Sequence, residues 1–238
     1  GWRVQLNVRN LFDDDTWTFA ALWSGGPGHL LAGGNQGLLL WNGATWAPVN
    51  GATAGITQIW GVTADDYFTV DSAGRLRRNQ SGAWTTEFTS GALAVWGRTA
   101  SDVYVTRTSG FYHHWNGMQW TQELIPVGDV RAIAGGDYGI YWVGMDDNAW
   151  HVDGDNLFWT QLAIPGYPLG DLVAAWEPAP GQLITGGTTG LWGYDGTARV
   201  YQGYSPAPPV AITGLWAPAR IDFFGVARDV YAQWGTPQ

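Results

Sequence analysis

Short apolar runs alternate along the chain with clusters of Gly, Asn, Asp and Ser. Asp66–Val70, Arg75–Arg78, Asp102–Thr106, Phe111–Trp115, Gly139–Val143 and Asn148–Val152 are of this kind, most of them rich in Val, Tyr, Phe or Trp. Each is too short for a stable helix and is bounded by turn residues, so each predicts a β-strand. The runs also recur in order. Aligned on the Trp that ends the first run of each set, the copies fall at Trp23, Trp60, Trp96, Ala134, Trp176 and Trp216, at intervals of 37, 36, 38, 42 and 40 residues. A period of this length means that one small unit stacks on itself to build the fold.

Within a copy, the anchor Trp is followed by a pair of strands around a Gly-containing turn, such as Ser72-Ala73-Gly74 or Thr108-Ser109-Gly110. A second turn follows at Asn42-Gly43, Ser81-Gly82, Asn116-Gly117, Asp153-Gly154 and Asp195-Gly196, dipeptides that tolerate the left-handed backbone of a tight hairpin. A last strand then opens on Trp46, Trp84, Trp120 or Trp159, with Ala198-Arg199-Val200 in the fifth copy. Four antiparallel strands per copy make one propeller blade. The sixth copy stops after Trp234-Gly235, without its outer strand, and Gly1-Trp2-Arg3-Val4-Gln5 supplies a strand at the other end of the chain. The expectation is an all-β, six-bladed β-propeller of four-stranded antiparallel blades, one domain over residues 1–238. The N-terminal strand is expected to complete the last blade and close the ring, which removes open sheet edges.

Composition narrows the partners. The chain carries a net charge of −9, its 11 basic residues are all Arg, and most segments carry no basic cluster. A nucleic-acid partner is therefore not expected. No run of 18 apolar residues occurs, so no membrane insertion is expected, and no signal peptide is present. The chain opens at Gly1 rather than Met, as a processed form or a domain cut from a longer protein would. With no Cys, the fold cannot rely on disulfides.

The 17 Trp raise the question of sugar stacking, but ten of them fall at two repeat positions, where periodic aromatics read as core. Candidates for ligand contact lie off the repeat. Trp17, Tyr167, Tyr201 and Tyr204 sit in or beside the connections between blades, and Asn35, Gln36, Asp71, Arg107, Asp146, Asp147 and Arg228 fall at middle turns of different blades. These connections and turns share one face of a propeller, where loops on a rigid scaffold carry binding. From this set, the ligand-binding residues are expected to be Trp17, Asn35, Gln36, Asp71, Arg107, Asp146, Tyr167, Tyr204 and Arg228.

Other chemistry is sparse. Asp13-Asp14-Asp15 offers oxygen ligands but lacks the spacing and glycine of an EF-hand loop, so no metal is expected. Asp66, Asp102 and Asp222 recur before the second strand, with Gly139 in the fourth copy, and are expected to cap local backbone N–H groups. His113 and His114 are adjacent on a strand and face opposite ways. No metalloprotease helix, zinc pattern or nucleophile elbow occurs. Asp71 and Asp146 could be placed across a channel mouth as a carboxylate pair, but nothing in the sequence shows the separation or raised pKa that glycoside hydrolysis needs. No catalytic residues and no cofactor are expected.

The best copy, Trp96-Gly97-Arg98-Thr99-Ala100-Ser101-Asp102-Val103-Tyr104 with Gly110, Asn116-Gly117 and Trp120, resembles the repeat of bacterial secreted or surface β-propellers. More loosely, the chain is similar to propeller lectins of the tachylectin kind, whose ligands are sugars. That resemblance implies an extracellular or cell-surface location and a non-catalytic, carbohydrate-binding module, with a glycan or a protein surface as the partner. The alternatives are a protein-interaction or scaffold propeller of a larger surface protein and, third, a glycan-active enzyme.

Overall fold

The structure is a computed structural model. It describes residues 17–235, except 109, 126–128, 137–138, 146–147, 154–158, 163–169, 189, 195–198, 202–211, 220–221 and 228–229. Every regular element among the described residues is a strand. The first sheet runs β1 Phe19–Gly26, β2 His29–Gly34, β3 Gly37–Trp41 and β4 Trp46–Pro48. The second is β5 Ile56–Thr63, β6 Asp66–Asp71, β7 Leu76–Gln80 and β8 Ala83–Phe88. The third is β9 Ala92–Thr99, β10 Asp102–Arg107, β11 Phe111–Trp115 and β12 Trp120–Leu124. The fourth is β13 Val130–Gly136, β14 Gly139–Gly144, β15 Ala149–Asp153 and β16 Trp159–Gln161. The fifth is β17 Leu172–Trp176, β18 Leu183–Gly187, β19 Gly190–Tyr194 and β20 Arg199–Tyr201. Each of these is an antiparallel meander in chain order. The last sheet holds only β21 Ile212–Ala219, β22 Asp222–Ala227 and β23 Val230–Gly235.

Among the described residues the molecule is thus a propeller with five four-stranded blades, not the six expected. The expected sixth blade is a three-stranded sheet in which β23 pairs only with β22. The four residues after Trp234 hold no Asn-Gly, Asp-Gly or Ser-Gly dipeptide of the kind that precedes the outer strand in the other blades. Residues 1–16, expected to supply that strand, lie outside the described residues. The three-stranded sheet still closes the circle, because β21 lies against both β17 and β1.

The core is divided among the seams between blades. Ala21, Leu31 and Leu38 of the first blade meet Ile56, Ile59 and Tyr67 of the second. Phe68, Val70 and Leu76 meet Ala92, Val95, Val103 and Val105. Tyr112 and Ala94 meet Ile133, Ile140 and Trp142, and Tyr141, Val143 and Ala149 meet Leu172, Leu183 and Trp192. Tyr67 and Phe68, adjacent on β6, therefore serve opposite seams. A strand between two blades is buried on both faces, which is why these strands read as continuous apolar runs.

The Trp-Gly step of the repeat has a direct cause. A Cβ placed on Gly61 would lie 2.8 Å from Cη2 of Trp23, and one on Gly97 would lie 2.7 Å from Cη2 of Trp60. At Gly135 the corresponding distance to Trp96 is 3.0 Å. The anchor rings of the first three blades thus lie on the glycine of the blade that follows. The closing tryptophans pack at the outer edge. Trp41–Trp46 and Trp115–Trp120 centroids are 5.8 and 5.6 Å apart, and Trp84 meets Tyr67 edge-on at 5.8 Å.

Asp66 and Asp102 bond side chains rather than capping backbone as expected, and the side chain of Asp222 lies outside the described residues. Asp66 takes two bonds from Arg78, at 2.8 and 2.7 Å. Asp102 accepts from Arg98 at 3.0 Å and lies 2.7 Å from Nε2 of His114. The pairing places Asp66 opposite Gln80, so Arg78 is its diagonal neighbour on the same sheet face and reaches the carboxylate. The carboxylate's partner in turn lies on an aromatic ring of the second strand. Arg78 is 5.0 Å from the Phe68 centroid, and His114 stacks on Tyr104 at 4.4 Å. In the fourth blade Gly139 replaces the Asp, and His151 stacks on Tyr141 at 4.5 Å.

Candidate functional site: the upper rim and the central channel

The first strands of the blades surround a central cavity of ≈ 310 Å³. Their inner edges carry no pairing strand among the described residues, so main-chain polar groups face the channel. Ala21, Gln58, Ile59, Ala132, Ala174 and Leu215 contribute side chains to its wall. Glu177 also lines it, directly after Trp176, where the second, third and fourth blades have glycine.

In all six sheets the pairing of the first strand with the second slips by one residue near the start of the first. The residues passed over are Ala20, Thr57, Leu93, Arg131, Val173 and Thr213. A bulge of this kind re-aims a side chain. Ala20, Thr57 and Val173 line the channel. Arg131 reaches the Asp129 carboxylate at 3.3 Å and Sδ of Met145 at 3.2 Å. This ring of unlike residues was not legible in the sequence, because a bulge belongs to the pairing of two strands and leaves no side-chain signature in one.

The rim above is held by a belt of backbone hydrogen bonds. In five blades the residue opening the middle turn donates its N–H to the connection entering the same blade. Asn35 donates to Thr18, Ser72 to Gly55, Thr108 to Gly91, Met145 to Asp129 and Thr188 to Asp171, at 2.7–3.1 Å. Gly55 donates onward to Asn35, Ala92 to Gly74 and Ile125 to Gly110. Turns and connections are therefore joined from blade to blade, and the side chains they carry stand on a rigid base.

Five of the nine ligand-binding candidates fall on described parts of this rim. Trp17 stacks on Phe19 at 5.4 Å and is half-buried. Asn35 is exposed, and its Oδ1 accepts from Thr18 N–H at 2.8 Å. Gln36 beside it is exposed. Asp71 is buried: it accepts from Thr53 Oγ1 at 3.0 Å, from the N–H of Ala73 and Arg75, and from Arg75 Nε at 2.7 Å. It shapes its own turn rather than offering a carboxylate to solvent. Arg107 extends over Phe88 at 5.0 Å and donates to the Ser90 carbonyl at 2.8 Å. The first three gather at the first blade, through the bond joining Asn35 to Thr18, while Asp71 and Arg107 stand on the two blades that follow. Asp146, Tyr167, Tyr204 and Arg228 lie outside the described residues, as do Asp13–Asp15.

The remaining electrostatics are structural. At Asp102 burial favours the neutral acid, but bonds from Arg98 and His114 prevail and hold its carboxyl below the usual range. Burial, with help from Asp102, pushes the Tyr104 phenol up to about 12, and burial with Asp65 does the same for Tyr67. Burial lowers His29 and His113, the latter also through Arg107. No group of three metal-ligating side chains occurs among the described residues. The tryptophans whose side chains are described are all buried or half-buried, so the repeat presents none of them as an open stacking face for a sugar.

No protein-family model and no curated protein sequence matches the chain. Solved structures do match in shape. The WD40 repeats of RRP9 are similar with a TM-score of 0.73 at 10% identity, over 94% of this chain and 78% of that one. U3-55K matches with a TM-score of 0.72 at 10% identity, over 94% and 79%. YCF48, solved bound to a D1 peptide, matches with a TM-score of 0.69 at 16% identity, over 95% and 80%. At these identities the likeness establishes the fold: the chain is a β-propeller with WD40-like neighbours.

Proposed function

We propose that this propeller is a non-catalytic interaction module whose upper rim takes a protein or peptide partner. The observation that carries the reading is the contrast between a regular core and an irregular rim. The same Trp-on-Gly contact recurs at the first three seams, while the residues that the backbone belt fixes above the core differ in every blade. A rigid frame bearing unlike polar side chains suits recognition of one irregular surface. YCF48, a propeller of similar shape, is known with a peptide bound. The residues expected to carry contact are those of the sequence reading that stand on the rim, Trp17, Asn35, Gln36 and Arg107. A glycan partner finds no support in the packing of the tryptophans.

The test is cross-linking of the purified propeller to its partner, then calorimetry with the partner purified. One partner per chain, weakened by Asn35→Ala and Gln36→Ala together, is the expected result. A reproducible glycan-array hit with no protein partner would overturn the reading in favour of the sugar-binding alternative.

A further inference from the structure

The seam between the second and third blades holds a cation, Arg107, that meets no carboxylate among the described residues. Of the described arginines, Arg75, Arg78, Arg98 and Arg131 each contact a carboxylate within the chain. Arg77 donates to the carbonyl of Gly51 instead, and Arg107 to that of Ser90. Its Nε is buried and makes no hydrogen bond among the described residues. His113, itself only 8% exposed, has Nδ1 in the same condition. Buried polar nitrogens without partners are uncommon in folded chains and call for an explanation.

These two groups share one ring. The Arg107 guanidinium lies 5.0 Å from the Phe88 centroid, and the His113 ring meets Phe88 edge-on at 4.9 Å. The bond from Arg107 Nη2 to Ser90 is solvent-exposed, so the outer side of the guanidinium is accessible. Phe88 and Ser90 belong to the end of the second blade, and Arg107 and His113 to the hairpin of β10 and β11. The rim is close-packed here. A Cβ on Gly91 would lie 3.1 Å from Arg107 Nη2, and one on Gly74 would lie 2.5 Å from Gly91 N. Arg75, next in sequence to Gly74, is thus the neighbouring cation along the rim, with its side chain 44% exposed.

We propose that this seam is a carboxylate-recognition site, in which Arg107 takes an Asp or Glu side chain of an acidic peptide segment with Arg75 beside it. The proposal rests on the interaction reading above and names the chemistry of its partner. Arg is suited to the task because its planar fork matches a carboxylate in geometry as well as charge. The Phe88 ring backs the guanidinium and fixes its plane. Burial and the charge of Arg107 together hold His113 below the usual imidazole range, as expected where positive charge is locally uncompensated.

The experiment titrates the intact propeller with an acetylated, amidated tetra-glutamate peptide and with its tetra-glutamine isostere, following the side-chain Nε–H resonances of the arginines by NMR. The expected result is a saturable shift of the Arg107 Nε–H resonance with the glutamate peptide alone. Arg107→Gln should weaken that binding at least tenfold, and Arg107→Lys, which keeps the charge but not the fork, should also weaken it. The wild-type resonance decides the matter even if a variant folds poorly. Equal response to both peptides, no shift at Arg107, or unchanged affinity in a folded Arg107→Gln variant overturns the site. If the cross-linked protein partner still binds while the glutamate peptide leaves Arg107 unmoved, the carboxylate site falls and the interaction reading stands.

Discussion

Gly97 and Gly82 separate two reasons for a glycine. At Gly97 a Cβ would lie 2.5 Å from the Asp102 carbonyl oxygen and 2.7 Å from the Trp60 ring. Gly82 has φ +88° and nothing within 4 Å of its Cβ position. Gly97→Ala is an overpacking change in a closed seam, expected to lower stability by about 1–3 kcal/mol. Gly82→Ala meets only backbone strain, and about 1 kcal/mol is expected. Urea denaturation of both variants checks the order; equal losses would mean that the anchor Trp does not rest on Gly97. Asp102 supplies a second test at this scale. Its carboxyl is held below the usual range, so its contribution to stability is present above its unfolded value of about 4 and is lost as pH falls through the lower folded value. Asp102→Asn should therefore be clearly less stable than wild type at pH 6, and the gap should close progressively below about pH 4. A gap that persists unchanged at acid pH would mean that the carboxylate charge is not what matters there.

At the level of the element, strand order was legible because alternation and turn dipeptides are local properties. Asn42-Gly43 and Asn116-Gly117 stand between third and fourth strands as their composition required, with φ of 94° and 90° at the glycines. The roles of the charged turn residues were less legible. Asp71 reads in sequence as an open rim carboxylate. Its turn instead folds around it, because Thr53 from the preceding connection and Arg75 from its own turn converge on Oδ2. His113 read as an ordinary strand residue, because its meeting with Phe88 crosses from one blade to the next and has no local signal. The structural role of Asp71 makes a prediction. Asp71→Ala removes the acceptor for two backbone N–H groups and two side chains, and should cost about 1–3 kcal/mol in stability. Affinity for the protein partner, measured by calorimetry on the folded fraction, should fall by less than in the Asn35→Ala, Gln36→Ala variant. The reverse order would return Asp71 to the set of contact residues.

At the scale of the whole molecule, the period in the sequence revealed the propeller and the number of repeat copies, but not the number of complete blades. A copy becomes a blade only when an outer strand pairs with it, and for the last copy that strand was assigned by joining the chain ends rather than by any residue in the copy. The break in the repeat pattern between the fourth and fifth blades has a more local cause. Ala134 stands where other blades have the anchor Trp, and Glu177 stands where the next blade would have the receiving glycine. The two departures fall on the two halves of one contact. Both residues line the channel, and Glu177 Oε2 lies 2.6 Å from the Cβ position of Gly136. A Trp placed at 134 would direct its ring at the site that Glu177 fills. Ala134→Trp alone is therefore expected to lose about 1–3 kcal/mol through overpacking. Added to Glu177→Gly, the same Trp finds the flat glycine surface that Trp60 finds at Gly97, and its cost should largely disappear. A double-mutant cycle by urea denaturation should then show a favourable coupling above about 1 kcal/mol. Additive losses would mean that residues 134 and 177 do not face each other across the seam, and that the carboxylate in the channel wall arose independently of the missing tryptophan.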